Sequence, residues 1–103
     1  MAAPVMSDEQ RRLALAKAVE MRRERAKLCA QIKCQEATLS EVVQSAHESE
    51  IAGGLRVLAL VQSLPGYGSS KARMLLYRLR ISESRRIRGL GVRQRERLLE
   101  LGL

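Results

Sequence analysis

The chain has 103 residues, which suits one small domain. It contains no Phe and no Trp, so its core must be built from Leu, Val, Ile, Ala and Met, a composition that fits helices packed on helices better than a β-sandwich. The formal net charge is +8, and it is unevenly spread: residues 64–103 hold ten Lys/Arg against three Asp/Glu, residues 38–63 one against three, and residues 1–37 eight against five. A localised basic excess is the electrostatic footprint of a nucleic-acid binder, and equally the mark of a solvated basic surface. No apolar run approaches the roughly 18 residues of a membrane span, and the N-terminus lacks the apolar centre of a signal peptide. Cys29 and Cys34 fall on different faces of one predicted helix and cannot bridge each other. They form no C-x-x-C and have no second pair to complete a metal site; free thiols suit a reducing cytoplasm.

Residues 1–6 read as a short tail. Ser7-Asp8-Glu9-Gln10 is a capping box, with Ser7 accepting from the amide three residues on and Gln10 reaching back. A long basic helix is predicted over 7–36, roughly 40 Å at 1.5 Å per residue for its uninterrupted part to Lys33. Leu15, Val19, Ala26, Cys29 and Ile32 form its apolar stripe, which Arg22 interrupts. The cluster Arg22, Arg23, Arg25 and Lys27 places part of this helix outside the compact body, either as a solvated face or as a second nucleic-acid surface. Thr38-Leu39-Ser40-Glu41 is another capping box and starts a short helix to about Ala46, with Leu39, Val42 and Val43 inward. Ser49 caps the next segment, and Gly53-Gly54 marks a break or close packing. Leu55, Val57, Leu58, Leu60 and Val61 are predicted to form one helix at the centre of the core. Pro65 stops it, Gly66-Tyr67-Gly68 makes a hairpin (64–70), and Ser69 or Ser70 caps a helix from about Lys71 to Arg80. A second turn spans 81–91. Gly91 or Val92 opens a last helix with Leu98, Leu99 and Leu101, and Gly102 ends it. The expected fold is all-α: a long N-terminal helix, and a body (38–103) that bundles about four to five shorter helices.

The chemistry lies in the two turns. Backbone N–H groups in the first turn of a helix have no intrahelical partner and sit at the positive end of the dipole, which makes an anion site. Gly66 and Gly68 remove side chains that would hold a phosphate away. Ser69 and Ser70 add hydroxyls, and Lys71 and Arg73 add charge. A Gly-x-Gly before a helix is as readily a plain tight turn. In the second turn Arg85, Arg86 and Arg88 precede Gly89-Leu90-Gly91. Ile87 and Leu90 are the expected anchors, turning the arginines outward as a fixed comb that Arg93 extends. Guanidinium forks suit phosphate oxygens and also enter minor grooves. Tyr67 is expected to pack on its own helices.

The layout resembles a helix-two-turns-helix motif. Through DEQRR near residue 8, MRRERAKL at 21–28, LPGYG, KAR and ISESRRIRGLG, the whole chain is similar to the actinobacterial integration host factor family. That resemblance implies a monomeric, nucleoid-associated protein of the cytoplasm that binds duplex DNA with little sequence preference. It also implies DNA bending and compaction, an influence on supercoiling, and support of phage site-specific recombination, with phage integrase as a partner on DNA. Carried over by residue, DNA contacts fall on Arg85, Arg86 and Arg88, and on Gly66, Gly68 and the amides that follow. The family usually carries lysines around these sites. Here Gly66, Ser69 and Ser70 occupy the hairpin and Gly54 stands where Lys is usual, while Arg56 keeps the next basic position. Backbone contacts are therefore expected to carry the hairpin. Arg22, Arg23, Arg25 and Arg56 are the candidates for a second DNA surface.

Two alternatives share the motif. A structural RNA-binding ribosomal family follows it with a long basic tail, and none follows Leu103. DNA glycosylases of the formamidopyrimidine type use an N-terminal proline and a zinc finger. Here Pro4 is internal, there is no zinc cluster, and His47 has no companion histidine. The expectation is a duplex-DNA binder that is not an enzyme and needs no cofactor or metal.

Overall fold

The computed structural model describes residues 7–103; the tail expected at residues 1–6, with Pro4, lies outside them. Among the described residues there are six α-helices, one 3-10 turn and an isolated backbone bridge, but no strand. The helices are α1 (Asp8–Lys33), α2 (Leu39–Ser45), α3 (Glu50–Gly54), α4 (Val57–Gln62), α5 (Ser69–Arg78) and α6 (Val92–Glu100), with the 3-10 turn at Ile87–Gly89.

Three of the starts follow the sequence. The Ser7 hydroxyl accepts from the Gln10 amide at 3.1 Å, and the Gln10 side chain accepts from the Ser7 amide at 2.9 Å, so both halves of the capping box form. Thr38 and Ser49 accept from the Glu41 and Ala52 amides, each at 3.1 Å; the capping box expected at Thr38 forms only by half, because the Glu41 carboxylate accepts from the Thr38 hydroxyl at 3.1 Å instead of from its amide. Two helices end in Schellman motifs without the usual glycine. Gln35 (φ 63°) closes α1, with the Glu36 amide donating to the Gln31 carbonyl; Arg80 (φ 57°) closes α5, with the Ile81 amide donating to Leu76. With no glycine to mark it, the end of α5 falls before Arg80, where the sequence had carried the helix.

The stripe expected on α1 is corrected. Leu15 is 64% and Val19 42% exposed, and Ala26 is also exposed. The C-terminal part of α1 meets the body, through half-buried Arg25, Leu28 and Cys29 and buried Ile32, with half-buried Met21 one turn before them. These positions lie on one helical face. The first half of α1, exposed throughout from Asp8 to Lys17, projects, and the chain's radius of gyration is 15.8 Å, against about 13 Å for a compact domain of this length.

The core gathers Ile32, Leu39, Val43, Val57, Leu60, Val61, Leu76 and Leu98, all essentially inaccessible to solvent. The central helix is shorter than expected. Leu55 and Arg56 are extended, with ψ of 139° and 140°, and α4 starts only at Val57. Their backbone pairs with the second turn instead of continuing a helix. At the other end, Leu101 is a helix cap and exposed, while the Leu103 carbonyl accepts from both the amide and the hydroxyl of Ser40 at 3.2 Å.

Gly53 is buried where α3 folds back on α2. A Cβ there would stand 2.5 Å from the Ala46 carbonyl oxygen, a backbone atom that cannot swing aside. Gly53→Ala should therefore destabilise the fold by about 1–3 kcal/mol through overpacking, despite the better helix propensity of alanine. Urea unfolding of the two proteins measures this, with a lower midpoint expected for the variant.

Candidate nucleic-acid interface

The first turn is built by Leu64-Pro65-Gly66-Tyr67. Tyr67 donates to the Leu64 carbonyl at 3.1 Å, and Gly66 takes φ +82° behind the proline, the arrangement of a type II turn. Gly68 needs no positive φ, and a Cβ on it would meet nothing within 4 Å. Its bareness therefore serves no internal packing and leaves the backbone open from outside.

Gly68, not Ser69 or Ser70, is the N-cap of α5, and no side chain caps that end. The sequence reading is corrected here: both serines lie inside the helix. Ser69 instead accepts from the Gln62 amide side chain at 3.3 Å. The first α5 amide bonded within this turn is that of Ala72, which donates to the Gly68 carbonyl at 3.0 Å. The Ser69, Ser70 and Lys71 amides thus point outward from the positive end of a ten-residue helix. Lys71 holds its ammonium 5.3 Å from the centre of the Tyr67 ring, in cation–π range. Tyr67 itself is half-buried and packs against the core. Arg73 forms an ion pair with Glu83 at 3.0 Å, which ties α5 to the second turn and answers part of the Arg73 charge.

The second turn is held by backbone. The Val57 amide donates to the Arg85 carbonyl and the Ile87 amide to the Leu55 carbonyl, both at 2.9 Å, which makes Arg56 and Arg86 an antiparallel bridge. Ile87 is buried and Leu90 packs partly against the core, while Arg85, Arg86 and Arg88 are exposed. Two of the three are braced: Arg85 Nη1 donates to the Gly89 carbonyl at 2.9 Å, and Arg86 Nη1 donates to the Gly54 carbonyl. Arg93 stands exposed in the first turn of α6, whose N-cap is Gly91. Gln94 closes this corner, accepting from the Gly91 amide at 2.9 Å and donating to the Arg80 carbonyl at 2.8 Å.

The candidates on α1 divide. Arg22 and Arg23 are exposed on the projecting helix. Arg25 turns inward instead, its guanidinium lying against Gly54, and its Nε is buried without a partner. Arg56 stands beside Arg86 rather than on a separate surface. Sequence reasoning missed the Gln94 clasp, although glutamine three residues after a helix-starting glycine is half of a capping-box pattern. It also missed Arg95, whose Nη1 lies 2.9 Å from His47 Nε2, a pairing across 48 residues that leaves no local signal.

Known proteins resemble this chain over most of its length. A family described as S13-like H2TH domain matches residues 32–101. An integration host factor of Streptomyces coelicolor is 47% identical over 94 residues, which cover 91% of this chain and 88% of that relative. The integration host factor of Mycobacterium tuberculosis is 44% identical over 100 residues, covering 97% and 95%. A solved structure of sIHF bound to an 8bp palindromic DNA superposes with a TM-score of 0.80 at 43% identity, covering 84% of this chain and 97% of that one.

Ile87 is the side chain that holds the basic turn to the core. Ile87→Ala should cost about 2–5 kcal/mol, the range for emptying a buried aliphatic site. Calorimetric melting of the variant checks it, and a loss below about 1 kcal/mol would deny Ile87 its anchoring role.

Proposed function

The chain belongs to the integration host factor family of actinobacteria, and from that membership we propose that it is a nucleoid-associated protein that grips duplex DNA by its phosphate backbone. The observation that carries this reading is the second turn, which backbone pairing and Ile87 hold so that Arg85, Arg86 and Arg88 project together. Guanidinium groups braced before the ligand arrives lose little freedom on binding. Beside them the Ser69, Ser70 and Lys71 amides supply neutral donors at a helix start. Such contacts read phosphates and carry no base code, which supports low sequence preference. The relative solved on an 8bp palindromic DNA supports DNA over structured RNA.

The role is architectural rather than catalytic. A rigid body that grips one stretch of duplex, with Arg22 and Arg23 offered on the projecting α1, bends or compacts DNA and so alters supercoiling. By shaping DNA it supports site-specific recombination, with phage integrase meeting it on the same DNA. It acts as a monomer on the cytoplasmic nucleoid. Among the described residues no helix is long and apolar enough to cross a membrane.

An electrostatic grip has a strong salt signature. With about 6–10 phosphate contacts, affinity should fall about 10³–10⁵-fold between roughly 50 and 200 mM salt. Fluorescence titration of a short duplex across that range tests it, and salt-independent binding would refute the phosphate grip. The paired substitution Arg86→Ala with Arg88→Ala should weaken binding at least tenfold, taking about 1.4 kcal/mol as the lower bound for losing two charged contacts. Circular dichroism should show the helices retained. A folded double variant of full affinity would remove the arginine turn from the interface.

A further inference from the structure

We infer that Arg25, Arg56 and Arg86 form one anion cradle around Gly54 that takes a single DNA backbone phosphate, joining the N-terminal helix and the basic turn into one binding surface. The inference rests on the DNA reading above and deepens it.

Two observations converge on Gly54, and a third brings Arg56 beside Arg86. First, the Arg25 guanidinium lies against this residue: a Cβ at Gly54 would stand 2.7 Å from Arg25 Nη2. Arg25 Nε is buried and has no hydrogen-bond partner. Desolvating one N–H of a guanidinium is unfavourable unless a hydrogen bond compensates it, and an orphaned buried donor calls for a missing acceptor. Second, Arg86 Nη1 donates to the carbonyl of the same glycine, so two guanidinium groups flank one residue. Third, Arg56 and Arg86 are directly opposed in the antiparallel bridge. The bridge bonds run from Val57 to Arg85 and from Ile87 to Leu55, so Arg56 and Arg86 are the non-hydrogen-bonded pair. That class has its Cα atoms about 4.5 Å apart and its side chains leaving on one face. Like charges so placed repel. Among the described residues no carboxylate answers any of the three; the one ion pair is Arg73–Glu83 on another edge.

A phosphodiester supplies what is missing. Its two free oxygens accept from guanidinium forks, and its charge relieves the Arg56–Arg86 repulsion while answering Arg25. Arg25 is half-buried rather than enclosed, so part of the side chain reaches solvent. Gly54 has no backbone need to be glycine, since its φ is not positive. Its missing side chain leaves the place in which the guanidinium lies.

The test uses the full chain with Arg25→Met, Arg25→Lys and Gly54→Ala. Duplex-DNA affinity is measured against salt, and melting is followed with and without pyrophosphate at constant ionic strength. Arg25→Met should melt at or above the wild type without anion, because a side chain with an unpartnered buried N–H is replaced by an apolar chain of similar length. It should nevertheless bind DNA about tenfold more weakly, with a salt slope smaller by about one. Arg25→Lys, which keeps the charge, should restore most of the slope. Gly54→Ala displaces only the flexible end of Arg25, so it should keep the fold and lose affinity in the same sense. Pyrophosphate should raise the melting point of the wild type more than that of Arg25→Met. If the wild type fails to bind duplex, the DNA reading falls, and the pyrophosphate arm alone then decides whether the cradle takes free phosphate. An Arg25→Met protein that matches the wild type in both arms overturns the cradle.

Discussion

Two backbone hydrogen bonds, Val57 to Arg85 and Ile87 to Leu55, hold the second turn against the centre of the molecule. Much of the structure depends on them. They claim the backbone on either side of Arg56, at the Leu55 carbonyl and the Val57 amide, so α4 starts only at Val57 and two extended residues separate it from α3. They set Ile87 into the core and set its neighbouring arginines outside it. They also bring Arg56, from the middle of the chain, opposite Arg86 from the turn. A loop of this length and charge, left to itself, would pay conformational entropy on meeting a ligand. Strapped in this way, it meets the ligand already ordered.

The glycines divide the labour between packing and access. Gly53 lets α3 close on the Ala46 carbonyl, and Gly54 lets the Arg25 guanidinium lie on backbone. Gly68 has open space around it. The first two draw elements together inside the protein, while the last leaves room outside it, next to the unpartnered amides of α5. The absence of lysine at the hairpin is thus offset by donors that carry no net charge but are fixed in direction. Charge is concentrated instead on the second turn and around Gly54.

The N-terminal helix shows a different balance. From Asp8 to Lys17 every residue is exposed, yet the segment is helical. Its capping box, its acidic first turn and its stock of Ala, Leu, Arg, Glu and Gln favour helix without tertiary support. Only at Arg25 and beyond does packing take over, and there an arginine occupies an inward position that a stripe of apolar residues would have been expected to fill. This is a local rule broken at one place, next to the proposed phosphate site, as functional sites often do.

The features legible in the sequence are those whose physics closes within a few residues. The Ser7, Thr38 and Ser49 caps, the Pro65-Gly66 turn and Ile87 as the anchor of an arginine-rich segment follow from hydrogen bonds over three or four residues, or from one apolar side chain among charges. The placement of Leu55, Arg25, Arg73 and Arg80 does not. Leu55 reads as helical until its carbonyl is claimed by Ile87 from 32 residues away. Arg25 reads as exposed until Gly54 receives it, Arg73 reads as free until Glu83 pairs with it, and Arg80 ends a helix in a conformation usually marked by glycine. Leu15 and Val19 read as core and lie in solvent because the body does not extend beneath them. By itself the sequence determined the helical class, the three helix starts capped by Ser7, Thr38 and Ser49, and the existence of two basic turns, because backbone geometry and side-chain capping are short-range. Only the tertiary structure decided which arginines stand together and which are already engaged, because that depends on distant backbone competing for the same donors and acceptors.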